Sequence, residues 1–154
     1  AYTYHELDQV LAKSDIVTLH VPYNESTHHL INEDRLERMK DGAYLVNTSR
    51  GGVIDTQAFV RALQSGKLAG AGLDVLEEET ILDDEMRFFM ENNKMDYSVK
   101  DSLANYILID MPNVVVSPHI AFNSREAVRR IVDTTLKNRE AFADREPVNI
   151  MNNE

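Results

Sequence analysis

An α/β fold on a parallel sheet covered on both faces is predicted for this chain of 154 residues by three features of its sequence. Four short, almost continuous apolar runs recur along it, at 15–21 (DIVTLHV), 43–47 (AYLVN), 70–75 (GAGLDV) and 113–117 (NVVVS). Such runs, apolar without strict alternation, suit strands buried on both sides. Segments of helical periodicity separate them, and strand–helix alternation is the pattern of a parallel sheet with helices on its faces. Cap and turn residues stand at the junctions where such elements must begin and end.

Each element has its own justification. Thr3 and Glu6 have the spacing of a capping box ahead of Leu7, Val10 and Leu11, which share one helical face. The first strand follows and Pro22 stops it. Asn32 is placed to cap a short helix with Leu36 and Met39 inward, and Asp41-Gly42 turns the chain into the second strand. Gly51-Gly52 interrupts the chain after that strand. Asp55 then caps a helix through Ser65 that directs Phe59, Ala62 and Leu63 to the core, and Gly66 sits where a C-terminal cap glycine belongs. The last helix starts at Ser124 and reaches the 139–142 region, with Val128, Ile131, Val132, Thr135 and Leu136 as its apolar stripe. Residues 77–109 break the rhythm. This acidic stretch, followed by Met86, Phe89, Met90, Leu103, Tyr106 and Ile107, reads as two short helices at the sheet rim, in a connection long enough to be lid-like.

Composition bounds the function. The chain is 43% hydrophobic and 27% charged, the balance of an ordinary globular domain. A net charge of -10 speaks against binding nucleic acid or an anionic membrane surface, both of which need a basic face. It does not speak against a small anionic substrate, because one placed arginine binds a carboxylate. The absence of cysteine excludes disulfides and thiolate metal sites, and is compatible with a reducing compartment. No apolar run approaches the roughly 18–20 residues of a membrane span. The chain opens with Ala1 directly into a helical pattern, so it is expected to be a piece whose natural start lies upstream.

Ligands of open α/β sheets bind beyond the carboxyl ends of the strands. The residues there are His20, Val21, Pro22 and Tyr23 after the first strand and Thr48, Ser49, Arg50 and Gly51 after the second. Asp74, then Glu77, Glu78 and Glu79, follow the third, and Pro118 and His119 the fourth. A cation, several acids and an imidazole on one rim suffice for acid–base chemistry on an anion. Taken singly, Arg50 reads as a loop arginine, His119 as structural, Asp74 as a turn cap and the glutamates as a solvated run. His28-His29 resembles a metal pair, but neighbouring residues on a strand point apart and no further ligand recurs at metal spacing, so no metal is expected. His5 and His20 are read as structural.

Four stretches together resemble a known family. They are Ser14 to Pro22 followed by Thr27 to Asn32, Met39 to Thr56 (MKDGAYLVNTSRGGVIDT), Gly72 to Glu79 (GLDVLEEE), and Met111 to Ala121 (MPNVVVSPHIA). Their order and spacing are similar to those of the NAD-dependent D-2-hydroxyacid dehydrogenases, most of all the D-lactate dehydrogenase branch. The resemblance implies the second half of a Rossmann-type doubly wound dinucleotide-binding domain over residues 1–121. A C-terminal helix over 122–154 would return toward a substrate domain that is largely absent from this chain. It implies interconversion of a 2-keto acid and a D-2-hydroxy acid, with pyruvate and D-lactate favoured, by an enzyme expected to be cytoplasmic and homodimeric.

The resemblance also implies roles. Arg50 would bind the substrate carboxylate, His119 would be the general acid, and Glu79 would pair with His119, with Glu77 and Glu78 as rivals. Val21, Pro22, Thr27, Thr48, Ser49, Arg50 and Asp74 would contact NAD. The long interval from Glu79 to His119 favours the D-lactate branch, and Phe122 and Tyr97 are candidates for setting substrate size. The G-x-G-x-x-G turn and the acid that binds the adenosine ribose are expected upstream, since Gly70-Ala71-Gly72 leads into a strand. The fragment alone is therefore expected to be inactive. The alternatives are another D-2-hydroxyacid dehydrogenase, of the 2-hydroxyisocaproate, glycerate or phosphoglycerate type, or a non-catalytic NAD-binding regulatory module.

Overall fold

The computed structural model describes residues 3–77 and 99–150, which fall into two compact units, Ala1–His119 and Ile120–Glu154. In the first unit the order is α1 (Leu7–Lys13), β1 (Ile16–Leu19), α2 (Glu33–Arg38), β2 (Ala43–Asn47), a 3-10 turn at Gly51–Val53, α3 (Thr56–Gln64), β3 (Leu68–Leu73), α4 (Val99–Asp110) and β4 (Val114–Val116). The second unit holds α5 (Arg125–Ala143).

The strands form one four-stranded sheet in the order β1-β2-β3-β4, and every neighbouring pair is parallel. The expected strands are all present. The first is shorter than its apolar run, because beyond Leu19 the chain leaves the ladder toward Pro22. The third starts earlier, at Leu68. Gly70 and Gly72 lie inside β3, as the sequence indicated.

Among the described residues one face of this part of a doubly wound sheet is covered and the other is open. Val17, Leu19, Ala43 and Leu45 are buried, whereas on the opposite face Ile16 is 64% exposed, Tyr44 49% and Val115 73%. Connectivity explains this. Parallel crossovers are right-handed, and when successive strands are added in one direction every crossover helix falls on the same face. The core therefore lies on one side, where Leu11 of α1, Leu36 of α2, Phe59 and Leu63 of α3, and Leu108 of α4 meet the buried strand residues. Each large apolar side chain enclosed there contributes about 1.5–3 kcal/mol.

Most caps are where the sequence put them. The side chains of Asn32 and Asp55 accept from the backbone N–H of Arg35 and Ala58, and Gly66 follows α3 at φ +77°, a conformation open to glycine. The Thr3–Glu6 capping box does not form. Helix α1 begins at Leu7 with Glu6 as an extended N-cap that makes no side-chain cap bond. Burial of Leu11, with Leu7 packed against the same core, sets the start of α1 in place of a local polar motif. Elsewhere on this unit the Lys67 ammonium hydrogen-bonds Asp41, and that bond, reinforced by its charge, holds the Asp41 carboxyl below its ordinary value.

Of the two rim helices expected in 77–109, α4 is observed over Val99–Asp110, and Met86, Phe89 and Met90 lie outside the described residues. In the second unit Ser124 caps α5 by accepting from Ala127. No residue of α5 is buried, so its apolar stripe of Val128, Ile131, Val132 and Leu136 remains substantially exposed.

Phe59 is 1% exposed at the centre of this one-sided core. Phe59→Ala is expected to lower unfolding free energy by about 3–5 kcal/mol, measured by denaturant titration of the full-length protein.

Candidate active site

Because the four strands are parallel, their carboxyl ends share one edge. Beyond β1 and β2 lies a cleft of about 570 Å³ lined by His20, Val21, Pro22, Tyr23, Thr48, Ser49 and Arg50. Five of the residues singled out in the sequence, Val21, Pro22, Thr48, Ser49 and Arg50, are thereby brought together. The cleft has an apolar wall, the hydroxyls of Tyr23, Thr48 and Ser49, and an exposed guanidinium.

Thr27 is not among the cleft residues. Its Oγ1 donates to the Pro22 carbonyl at 2.7 Å and accepts from Asn24 N–H at 2.8 Å, so it closes the turn that carries Pro22 and Tyr23. His28 and His29 also differ from expectation. They lie on a turn, not a strand, and their rings stack at 3.9 Å with an interplanar angle of 24°. Among the described residues, no group of three histidine or acidic side chains is arranged to hold a metal.

Arg50 is held by a residue that sequence reasoning passed over. Asn47, the last residue of β2, is fully buried. Its Nδ2 donates to the Arg50 carbonyl at 2.9 Å, and its Oδ1 accepts from Ser49 N–H at 3.0 Å and Ser49 Oγ at 2.8 Å. The signal was present as an Asn at a strand end with a Ser two residues on, the spacing of an Asx turn. Those bonds lock the backbone of 47–50, while the Arg50 side chain stays exposed.

Asp74 is buried, at 4% exposure, and ties three strand ends together. Its N–H donates to the Asn47 carbonyl at 2.9 Å, its carbonyl accepts from His119 N–H at 2.9 Å, and its Oδ1 accepts from Ser117 Oγ at 2.6 Å. His119 thus stands three residues beyond the end of β4, exposed and in the left-handed region at φ 52°. Glu78 and Glu79 lie outside the described residues, as does Tyr97, while Phe122 is exposed on the second unit.

Glu77, the first acid in the run, is engaged elsewhere. Its Oε1 accepts from His29 Nε2 at 2.8 Å and its Oε2 from Thr56 Oγ1 at 2.6 Å. Its carbonyl accepts from Nδ2 of the buried Asn105 of α4 at 2.7 Å.

Comparison with known proteins accounts for this arrangement. Residues 1–121 match the family described as D-isomer specific 2-hydroxyacid dehydrogenase, NAD binding domain. The chain belongs to this family. Among its relatives, a D-specific alpha-keto acid dehydrogenase from Enterococcus faecium is 43% identical, over 88% of this chain and 39% of the relative. An aromatic 2-oxoacid reductase from Clostridium sporogenes is 41% identical, over 90% of this chain and 40% of the relative. The solved D-lactate dehydrogenase from Aquifex aeolicus, complexed with NAD and lactic acid, superposes with a TM-score of 0.78 at 43% identity, covering 94% of this chain and 41% of that one. This D-2-hydroxyacid dehydrogenase chain therefore spans about two-fifths of the length of the relatives it matches.

The family cofactor is NAD. Residues whose chemistry fits it are present: an apolar wall at Val21-Pro22 and a buried carboxylate at Asp74 stand on one sheet edge. Asn47 underlies the site. Asn47→Ala strips three hydrogen bonds from the 49–50 turn and is expected to destabilise the protein by about 2 kcal/mol, read as a fall in thermal midpoint of the full-length protein.

Proposed function

We propose that the full-length protein is an NAD-dependent oxidoreductase that interconverts a 2-keto acid and a D-2-hydroxy acid, with pyruvate and D-lactate as the favoured pair. The observation that carries the reading is Arg50 on a rigid turn in the cleft, beside the apolar wall of Val21 and Pro22. A guanidinium offers paired N–H donors that match a carboxylate, which a lysine at that position would not reproduce.

NAD, when bound, supplies or takes up the hydride. The protein does the rest. Arg50 binds the substrate carboxylate and polarises the adjoining carbonyl. His119, fixed through its backbone to Asp74, gives a proton from its imidazole to the carbonyl oxygen during reduction and removes it in the reverse direction. Glu79 is the proposed carboxylate partner that favours the imidazolium form of His119. Val21, Pro22, Thr48 and Ser49 line the nicotinamide side, and Asp74 accepts from the carboxamide. Thr27 serves the same side indirectly, by closing the turn beneath Pro22.

The long connection between Glu79 and His119 and the likeness to D-lactate dehydrogenases support a small 2-keto acid. The relative acting on aromatic 2-oxoacids supports a second reading, in which the substrate is bulkier. Activity is assigned to the complete polypeptide, since the phosphate-binding glycine turn has no counterpart in this sequence. A division of labour between residues 1–121 and 122–154, and a cytoplasmic homodimer, belong to the same proposal.

In the full-length protein, Arg50→Ala and His119→Ala are each expected to lower kcat/KM for 2-keto acid reduction by about 10²-fold or more. Arg50→Lys is expected to recover little of the loss. Steady-state kinetics over a panel of pyruvate, branched and aromatic 2-keto acids checks this. Undiminished turnover in either alanine variant defeats the assignment, and the panel ranks the two substrate readings.

A further inference from the structure

We propose that Glu77 is a positioning residue for the cleft and not the carboxylate partner of the catalytic imidazole. The inference deepens the function proposed above and rests on it for its kinetic arm only. Three segments that are distant in sequence meet at this side chain. Glu77 stands four residues beyond the end of β3, His29 on the turn after β1, and Thr56 on the first turn of α3. Both carboxylate oxygens are engaged, at 2.8 Å to His29 and 2.6 Å to Thr56, and the side chain is only 14% exposed. A carboxylate can only accept, so His29 carries its proton on Nε2 and Thr56 turns its hydroxyl hydrogen toward Glu77.

The backbone beneath reinforces the clasp. A Cβ on Gly51 would lie 2.0 Å from the Leu76 carbonyl carbon and 2.2 Å from Glu77 N, so the residue next to Arg50 presses directly on the segment that bears Glu77. His29 N–H donates to the Gly52 carbonyl at 2.9 Å, and Ile31 bridges Ile54. From His29 the contact continues toward the cleft. Its ring stacks on His28, the Nδ1 of His28 lies 3.0 Å from the Tyr23 hydroxyl, and Tyr23 lines the cleft with Arg50. The Tyr23 ring also covers Gly52, where a Cβ would come within 2.9 Å of it. One carboxylate thus holds the β3 exit against the turn after β1 and the start of α3, the segments adjoining the two walls of the cleft, and small displacements of such walls are costly to a reaction that depends on orientation.

The test compares Glu77→Ala with Glu77→Gln in the full-length protein, with Thr56→Val as a milder variant that keeps side-chain volume. A glutamine can still accept through its oxygen and keep the side chain in place. Glu77→Ala is expected to lower kcat/KM for the 2-keto acid by about tenfold, with the pH–rate profile unmoved and Glu77→Gln restored to within about threefold of wild type. Hydrogen exchange at the amides of 50–53 is expected to accelerate in Glu77→Ala and, less, in Thr56→Val, but not in Glu77→Gln. A glutamine variant as impaired as the alanine one with a displaced pH profile would make Glu77 a proton-transfer partner and overturn the proposal. So would unchanged exchange at 50–53 in Glu77→Ala. Absence of 2-keto acid turnover in the wild-type protein would instead defeat the functional reading, and the exchange measurement still decides the role of Glu77.

Discussion

Parallel pairing in sequential order is the constraint from which the site follows. Because β1 to β4 run the same way, each strand delivers its next residues to one edge, and four separate loops become neighbours. The same order sends every crossover to one face. A single-sided core anchored by Phe59, Leu36 and Leu108 then supports a rim whose residues are free to be polar. The exposed opposite face, with Ile16, Tyr44 and Val115, is the structural counterpart of that economy.

At the rim the design separates rigid backbone from available side chain. Buried side chains hold the turns and exposed ones present the chemistry. The fully buried Asn47 side chain fixes the carbonyl of Arg50, and buried Asp74 holds Ser117 through its carboxylate and the amide of His119 through its backbone carbonyl. Arg50 and His119 themselves remain exposed. Breaking a buried hydrogen-bonding group is more costly than losing an exposed one, so the support is the more stable part of the pair. Asp74 is both support and, in the proposed function, cofactor ligand. Its backbone and carboxylate together join the exits of β2, β3 and β4.

Much of this was legible in the residues because the signals were local. Asn32, Asp55, Gly66 and Ser124 each act through the backbone within a few positions, and each is found in its expected role. The second strand matched residue for residue. Thr3 and Glu6 show the limit, since a local motif yielded to the burial of Leu11. Apolar runs report how a strand is composed, not what covers it, so which face of this partial sheet lies open is read from the fold. Asn47 was overlooked since a buried Asn and a surface Asn look alike in sequence. The histidine pair was misread through its assumed strand geometry, whereas a turn with His29 at φ 47° brings the rings into a stack.

The acidic run after Asp74 illustrates how neighbouring identical residues acquire different work. In sequence Glu77, Glu78 and Glu79 differ only by register, and family spacing alone selects among them. In the fold the register becomes physical. Gly51 admits the backbone of Leu76 and Glu77 so closely that the first glutamate faces inward, onto His29 and Thr56. A carboxylate with both oxygens committed in a mostly enclosed place is poorly suited to exchange partners during a reaction. Its value lies in staying still, and in the proposed function the carboxylate partner of the imidazole is a different acid, Glu79.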